Sequence, residues 1–248
     1  CMDPARSKPD WIVMEMSSYQ IESANEVRPT IGIWTTLTPD HLERHGSMDA
    51  YRDIKQGLLR RSKHVVLNAD DADLQSRHAD WPNAQWVSAS RKEYETSNLE
   101  LWINQEDFVC SKLGALFPAN ALAMPGEHNR QNMLLVTAAA LQAGLGPQSI
   151  ERGMRSFPGV PHRLENLGSL HGMNVFNDSK ATNYDAAAVA LQAVPSPIAL
   201  LAGGLSKQGD ASRWLQLLHD RVCSIALFGS DREVLLDLIR SSGYTGNL

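Results

Sequence analysis

Cysteine is scarce in this sequence, and the gaps around it remove several function classes. Cys1, Cys110 and Cys223 are the only three, odd in number and far apart. They form neither a disulfide framework nor a CxxC or zinc-ligand spacing, so a reducing cytoplasm is the expected compartment. No apolar run approaches the roughly 18 residues of a membrane span, and no secretory leader is recognisable, so no membrane association is expected. The net charge is −5 with no Lys/Arg stripe interleaved with aromatics. That disfavours general nucleic-acid binding while leaving room for a local anion site. GxSxG and HExxH are missing too, which argues against a serine-hydrolase elbow or a zinc protease. There is no internal repeat and no low-complexity tract.

What remains is the composition of an ordinary globular protein, 43% apolar and 21% charged over 248 residues, enough for one large or two ordinary domains. The stretch WIVMEMSSYQIE, Trp11 to Glu22, predicts a strand over Trp11–Met14 buried on both faces, delivering Glu15, Ser17 and Ser18 to its C-terminal end. A carboxylate there either meets a cation or simply faces water. Further strands are expected at Ile31–Leu37, His64–Asn68 and Gln85–Ala89, and a short half-exposed hairpin at Leu99–Ile103 and Phe108–Lys112. Pro39 places Asp40, His41, Glu43, Arg44 and His45 in a loop. Ser47 caps a helix running to about Ser62 that carries Tyr51, Ile54, Leu58 and Arg61 at helical spacing. Helices follow at about Arg130–Ala143 and Pro147–Arg155.

The breaker-rich segment Phe157–Arg163 reads as a linker, after which a smaller α/β pattern restarts. A hairpin turns at His171-Gly172, with helices over Asn183–Ala193, Ala211–His219 and Ser230–Ser241 and strands over Ile198–Ala202 and Cys223–Phe228. Alternating strands and helices predict an α/β protein with a mainly parallel sheet. Ligands in such sheets bind in the crevice outside the strand C-termini.

Five polar clusters fall just after a strand or just before a helix: Glu15–Ser18, Asp40–Arg44, Gly126–Asn129, Asn177–Asn183 and Gly203–Lys207. Singly, each has an ordinary explanation. Glycines serve turns, a loop His41 or His128 is commonly solvated, and Lys55 reads equally as a solvated helix lysine. Together they offer carboxylate, imidazole, amide and ammonium to one crevice. Glu15 and His41 suit Mg²⁺, while Lys180 and Lys207 suit a phosphate or carboxylate, so phosphate-transfer chemistry is favoured over redox or nucleophilic catalysis.

The segments EMSSYQIE, TPDHLERH with the later YRDIK, MPGEHNRQN, GVPHRLE, FNDSKATN and LLAGGLSKQGD resemble, in that order, the signature segments of the Mur ligases, and most of all the branch that adds D-glutamate. The resemblance covers nearly the whole chain. It implies a partial P-loop-type ATPase central domain over residues 1–162, followed over 163–248 by a smaller Rossmann-like C-terminal domain. It implies an ATP-dependent acid–amino-acid ligase of peptidoglycan biosynthesis, working on UDP-N-acetylmuramoyl-L-alanine, D-glutamate and ATP through an acyl phosphate. Glu15 would hold Mg²⁺ and His41 a second Mg²⁺. Lys55 would be carbamylated, converting a cation into a metal-favoured carboxylate. His128 and Asn129 would contact ATP, as would Arg163 and Asp178 near the hinge. Lys180, Thr182 and Lys207 would position D-glutamate and the transferring phosphate, with Ser17 among the substrate contacts. A monomer without nucleic-acid or membrane partners is expected, hinged at Gly159–Arg163.

The family's phosphate loop should precede Glu15, and nothing in Cys1–Asp10 resembles it. The chain opens on Cys1 and ends at Leu248, so the expectation is a fragment lacking the UDP-holding domain and the last part of the D-glutamate pocket, inactive by itself. A non-catalytic relative and a folate-polyglutamylating ligase are the rival expectations. EMSSYQIE speaks against the second, and the retained Glu15, His41, Lys55, Asp178 and Lys180 against the first.

Overall fold

A computed structural model of the chain describes residues 9–39, 42–90, 99–205 and 209–248. His41 and Lys207, and with them Asp40 and Ser206, lie outside the described residues. The chain divides into two compact units, Cys1–Trp86 and Val87–Leu248.

In the first unit, α1 (Ser18–Ser23) is followed by β1 (Ile31–Trp34), α2 (Leu42–His45), α3 (Met48–Arg60), β2 (His64–Asn68) and α4 (Ala72–Ser76). β1 and β2 pair in parallel, Ile31 opposite His64. The strand expected at Trp11–Met14 does not form: the segment is irregular and Val13 is 99% exposed. A strand needs a neighbour for its backbone N–H and C=O groups and cover for its faces, and β1 among the described residues pairs only with β2. α3 begins where expected, with the Ser47 hydroxyl accepting the Ala50 N–H at 3.2 Å and Asp49 in the first turn. Of the row Tyr51, Ile54, Leu58 and Arg61 only Tyr51 is buried, and Arg52, Gln56 and Leu59 complete the buried face. The face is rotated because Arg52 goes inward to a carboxylate: its guanidinium meets Asp73 through Nε at 2.9 Å and through Nη2, and meets Asp49 through Nη1.

β3 (Gln85–Ser88) leads into β4 (Leu101–Ile103), β5 (Phe108–Ser111) and β6 (Gly114–Pro118), then α5 (Glu127–Gln142) and α6 (Pro147–Ser156). The six strands stand in one sheet in chain order. β3 and β4 are parallel, β4–β5 and β5–β6 antiparallel. The expected half-exposed hairpin is thus a three-stranded meander, buried through Leu101, Ile103, Val109 and Phe117, each at most 3% exposed, and open at the start of β6. Each such side chain contributes about 1.5–3 kcal/mol by leaving water, so the meander belongs to the core. α5 buries Asn129, Met133, Leu134, Leu135, Thr137 and Ala138. The buried Thr137 hydroxyl is satisfied by donating to the Met133 carbonyl at 2.7 Å.

Beyond the linker come β7 (Glu165–Leu170) and β8 (Met173–Asn177), an antiparallel hairpin, then α7 (Tyr184–Ala193), β9 (Ile198–Gly203), α8 (Ser212–Arg221), β10 (Val222–Phe228) and α9 (Arg232–Ser241). β9 and β10 pair in parallel, the α/β restart expected from the sequence. Ala188, Leu191, Trp214, Leu217, Leu218, Val222, Ile225, Leu235 and Ile239 form their own buried cluster there. The linker is tightly bent. Gly159, His162 and Leu164 all have positive φ, at 91°, 65° and 43°. For His162 and Leu164 that conformation costs about 1–2 kcal/mol each, so something must hold it.

Candidate functional site

Two constellations carry the polar clusters, one in each unit. In the first unit Glu15 is exposed at the end of the extended stretch before α1. Ser17 ends that stretch as the N-cap of α1. Its hydroxyl accepts the Gln20 N–H at 3.3 Å, and the Gln20 side chain accepts the Ser17 N–H at 2.8 Å. This capping box fixes the chain direction just after Glu15, so any substrate contact through Ser17 shares its hydroxyl with the cap. Ser18 is 2% exposed and its hydroxyl lies 3.0 Å from His45 Nε2. The His45 ring stacks on Tyr51 with centroids 5.3 Å apart and 19° between planes. Lys55 Nζ sits 5.0 Å from the Tyr51 centroid, a distance at which the ring face attracts an ammonium. His45, placed in a loop by the sequence, closes the short helix α2 and links the serine segment to the lysine helix. Its signal in the sequence was its place in DHLERHGS beside the α3 cap.

The strand end that leads toward Asp40 and His41 is also anchored. The Asp71 carboxylate accepts the Thr36 hydroxyl at 2.6 Å and the Leu37 N–H at 3.0 Å, while its other oxygen caps α4 at the Leu74 N–H. Asn68, 3% exposed, donates to the Thr35 carbonyl at 2.9 Å. The sequence showed Asp70-Asp71 only as an acidic turn, and this anchoring was not read from it. Charge-assisted bonds of this kind are the stronger ones, and they hold the backbone at the C-terminal end of β1.

For a metal, the donor chemistry of Glu15 fits Mg²⁺: one exposed hard-oxygen donor leaves room for the waters and phosphate oxygens that Mg²⁺ keeps. Lys55 as an ammonium repels a cation, and only a carbamate on it would serve as a ligand. Among the described residues no group of three or more His, Cys, Asp or Glu side chains is arranged around one point.

In the second unit α5 starts at Gly126, whose φ of 100° allows the turn. A Cβ there would lie 2.7 Å from the His128 ring and 2.9 Å from the Ala193 Cβ. The backbone thus brings the start of α5 against the end of α7 and turns the imidazole into the gap. Asn129, 5% exposed, donates to the Pro125 carbonyl at 2.6 Å, fixing that turn. Asp178 follows β8, and one of its oxygens accepts the Leu164 N–H at 2.9 Å. Burial pushes the Asp178 carboxyl above its ordinary value, opposed by the Leu164 N–H and by the charges of Arg163 and His128. Burial likewise lowers His128, opposed by Asp178. For both groups desolvation outweighs the mutual attraction, as expected where water is scarce.

Of the expected nucleotide contacts, His128 and Asp178 are half-buried and close enough to feel each other's charge, and the exposed Arg163 is close enough to Asp178 to do the same, while Asn129 is buried in the turn that it fixes. Lys180 and Thr182 are exposed on the turn that follows. The Lys180 N–H donates to the His162 carbonyl at 3.1 Å. Asn183 ends the segment by capping α7 at the Ala186 N–H, 2.8 Å. A half-buried histidine beside an exposed arginine and a carboxylate can take up a polar anionic ligand at a helix start.

Residues 2–140 match the family described as the Mur ligase middle domain. The UDP-N-acetylmuramoylalanine–D-glutamate ligase of Parasynechococcus marenigrum (strain WH8102) is 59% identical over 240 residues, 97% of this chain and 52% of that protein. The ligase of the same name from Synechococcus sp. (strain CC9605) is 58% identical over 244 residues, 98% of this chain and 53% of that protein. The chain spans about half the length of the curated relatives it matches. Among solved structures, the UDP-N-acetylmuramate–alanine ligase of Thermotoga maritima is similar in fold, with a TM-score of 0.66 at 20% identity, over 90% of this chain and 51% of that one.

Proposed function

Because the chain belongs to the Mur ligase family, we propose that it carries part of an ATP-dependent ligase that joins D-glutamate to UDP-N-acetylmuramoyl-L-alanine in peptidoglycan biosynthesis. The observation that carries this reading is the 59% identity to a D-glutamate ligase over 97% of the chain. The convergence of His128, Arg163 and Asp178 supports it independently.

In this reading the alanyl carboxylate oxygen takes the γ-phosphoryl group of ATP, releasing ADP and leaving an acyl phosphate. The D-glutamate amine then attacks the carbonyl carbon, loses a proton, and expels inorganic phosphate with the former carboxylate oxygen. His128 and Asn129 at the start of α5, with Arg163 and Asp178, hold the nucleotide. Lys180, Thr182 and Lys207 orient D-glutamate and balance charge on the transferring phosphate, and Ser17 lies against the acceptor substrate. Mg²⁺, held by Glu15 at one site and by His41 with carbamylated Lys55 at a second, would neutralise phosphate charge as it moves. Tyr51 keeps the Lys55 side chain along α3, and His45 keeps the Tyr51 ring in place.

The reading divides the chain by function into a central nucleotide domain, residues 1–162, and a C-terminal domain, 163–248; this differs from the compact units Cys1–Trp86 and Val87–Leu248 and has in its support the apolar cluster between Ala188 and Ile239. The hinge lies at Gly159–Arg163, since nucleotide and amino-acid contacts fall on both sides of it. In this reading the protein works in the cytoplasm as a monomer acting on small molecules.

The test is to graft this chain in place of the matching half of the Parasynechococcus relative and assay ATP-dependent amide formation. D-Glutamate and the UDP-sugar acceptor are expected to be used well over L-glutamate and a folate. Preference for the folate would move the chain to the folate-polyglutamylating ligases, and a folded but inert hybrid would make it a non-catalytic relative.

A further inference from the structure

The strained linker is held by a small set of bonds that close the open end of the β7–β8 hairpin. Glu165 and Asn177 stand directly opposite each other there. Glu165 Oε2 accepts the His162 N–H at 2.9 Å. Asn177 Nδ2 lies 2.8 Å from His162 Nδ1 and 3.4 Å from the same Glu165 oxygen. The His162 carbonyl accepts the Lys180 N–H at 3.1 Å, and the Leu164 N–H donates to Asp178. Backbone and ring of His162 are therefore gripped from both strands, and His162 is, with Leu164, one of the two residues whose positive φ needs support.

The direction of the Asn177 amide is not free. Its Oδ1 accepts the Ser179 N–H at 3.1 Å, so Nδ2 is the atom that faces the imidazole. An amide NH₂ can only donate, and the Nδ1 it faces must then carry a lone pair. An Nδ1 that accepts this bond leaves Nε2 to carry the ring proton. If Nδ1 were protonated, two donors would face each other and the ring would turn to Glu165, whose Oε2 is 3.7 Å away. The charged groups around the ring are Glu165 from β7, and Arg163, Asp178 and Lys180 from the linker and the turn after β8.

We propose that Asn177 and Glu165 are positioning residues: together they lock His162 in one tautomer and fix the linker so that Asp178, with Arg163 near it, faces His128. The inference deepens the ligase reading and rests on it only for what the hinge serves. The clasp itself is defined by geometry, with no nucleotide in it.

The test uses the chain itself, without nucleotide, so failure of the ligase reading leaves its readouts untouched. A long-range nitrogen–proton spectrum of the histidine rings at neutral pH, with His162 assigned through His162→Gln, is expected to show a neutral ring protonated on Nε2. A ring protonated on Nδ1, or on both nitrogens, would overturn the proposal. In Asn177→Ala the ring is expected to become a mixture of tautomers. Trypsin cleavage after Arg163 should rise at least about fivefold, the effect of losing one hydrogen bond from a locally closed state, since the variant also gives up the Glu165 and Ser179 bonds. Cleavage after Arg155 in α6 should not change. Equal acceleration at both sites, or none after Arg163, would contradict the clasp. Glu165→Gln keeps an acceptor for the His162 N–H and should behave more mildly than Glu165→Ala. Were Asn177→Ala not to fold, the spectrum of the unsubstituted chain and the two Glu165 variants would decide alone.

Discussion

His128 and Asp178 attract each other when both are ionised, yet burial moves each toward its neutral form. The consequence for stability has opposite sign for the two. As pH falls through 6.5, the ordinary value for His128, the unfolded chain takes up a proton that the folded imidazole resists, so stability is lost on acidification. Asp178, raised from 3.8, binds its proton more readily when folded, so its contribution is present at low pH and fades as pH rises through that raised value. His128→Gln is expected to flatten the fall in urea midpoint just below pH 6.5, and an unchanged slope would assign that fall to another group. Lys55 makes a second prediction. In the hybrid enzyme, Lys55→Ala should lower turnover about 100-fold and be partly restored by acetate or formate, which supply the missing carboxylate; no rescue leaves Lys55 only its place beside Tyr51. At this scale ordered motifs in the sequence singled out His128, Asn129, Arg163 and Asp178, of which His128 and Asp178 act on each other in the structure. His45, Asn68 and Asp71 were not legible as site supports, because their roles depend on partners far along the chain, His45 reaching Ser18 and Asp71 reaching Thr36.

Among the elements, α3 carries the most testable physics. Its start was readable because a Ser N-cap with an acidic first turn is a local signal; Ser47→Ala should cost about 1 kcal/mol in chemical unfolding. Its inward face was misjudged because burial of Arg52 cannot be inferred from apolar periodicity. That guanidinium bonds to Asp73, whose side chain is 22% exposed. Arg52→Ala should cost about 3 kcal/mol by leaving a poorly solvated carboxylate unpaired, while Arg60→Ala on the exposed side of the same helix should stay within about 0.5 kcal/mol. Similar losses for the two would deny Arg52 its structural place. β6 escaped notice because it is short, begins at a glycine and ends at Pro118. Trp11–Met14 was read as a strand because apolarity alone cannot supply the neighbouring strand that pairing requires.

For the whole molecule, the alternation of strands and helices and the break at Phe157–Arg163 were visible in the pattern of apolar runs and breakers. The bend of that break was not, since positive φ at His162 and Leu164 follows from the hydrogen bonds of Glu165, Asn177 and Asp178 rather than from residue type. The central claim is that phosphate leaves with an oxygen that began on the acceptor's carboxylate. It is tested most directly by running the hybrid enzyme with ¹⁸O in the alanyl carboxylate of UDP-N-acetylmuramoyl-L-alanine and reading the isotope in the products. One ¹⁸O in each inorganic phosphate released is the expected result; label in AMP, or none in phosphate, would contradict an acyl-phosphate ligase.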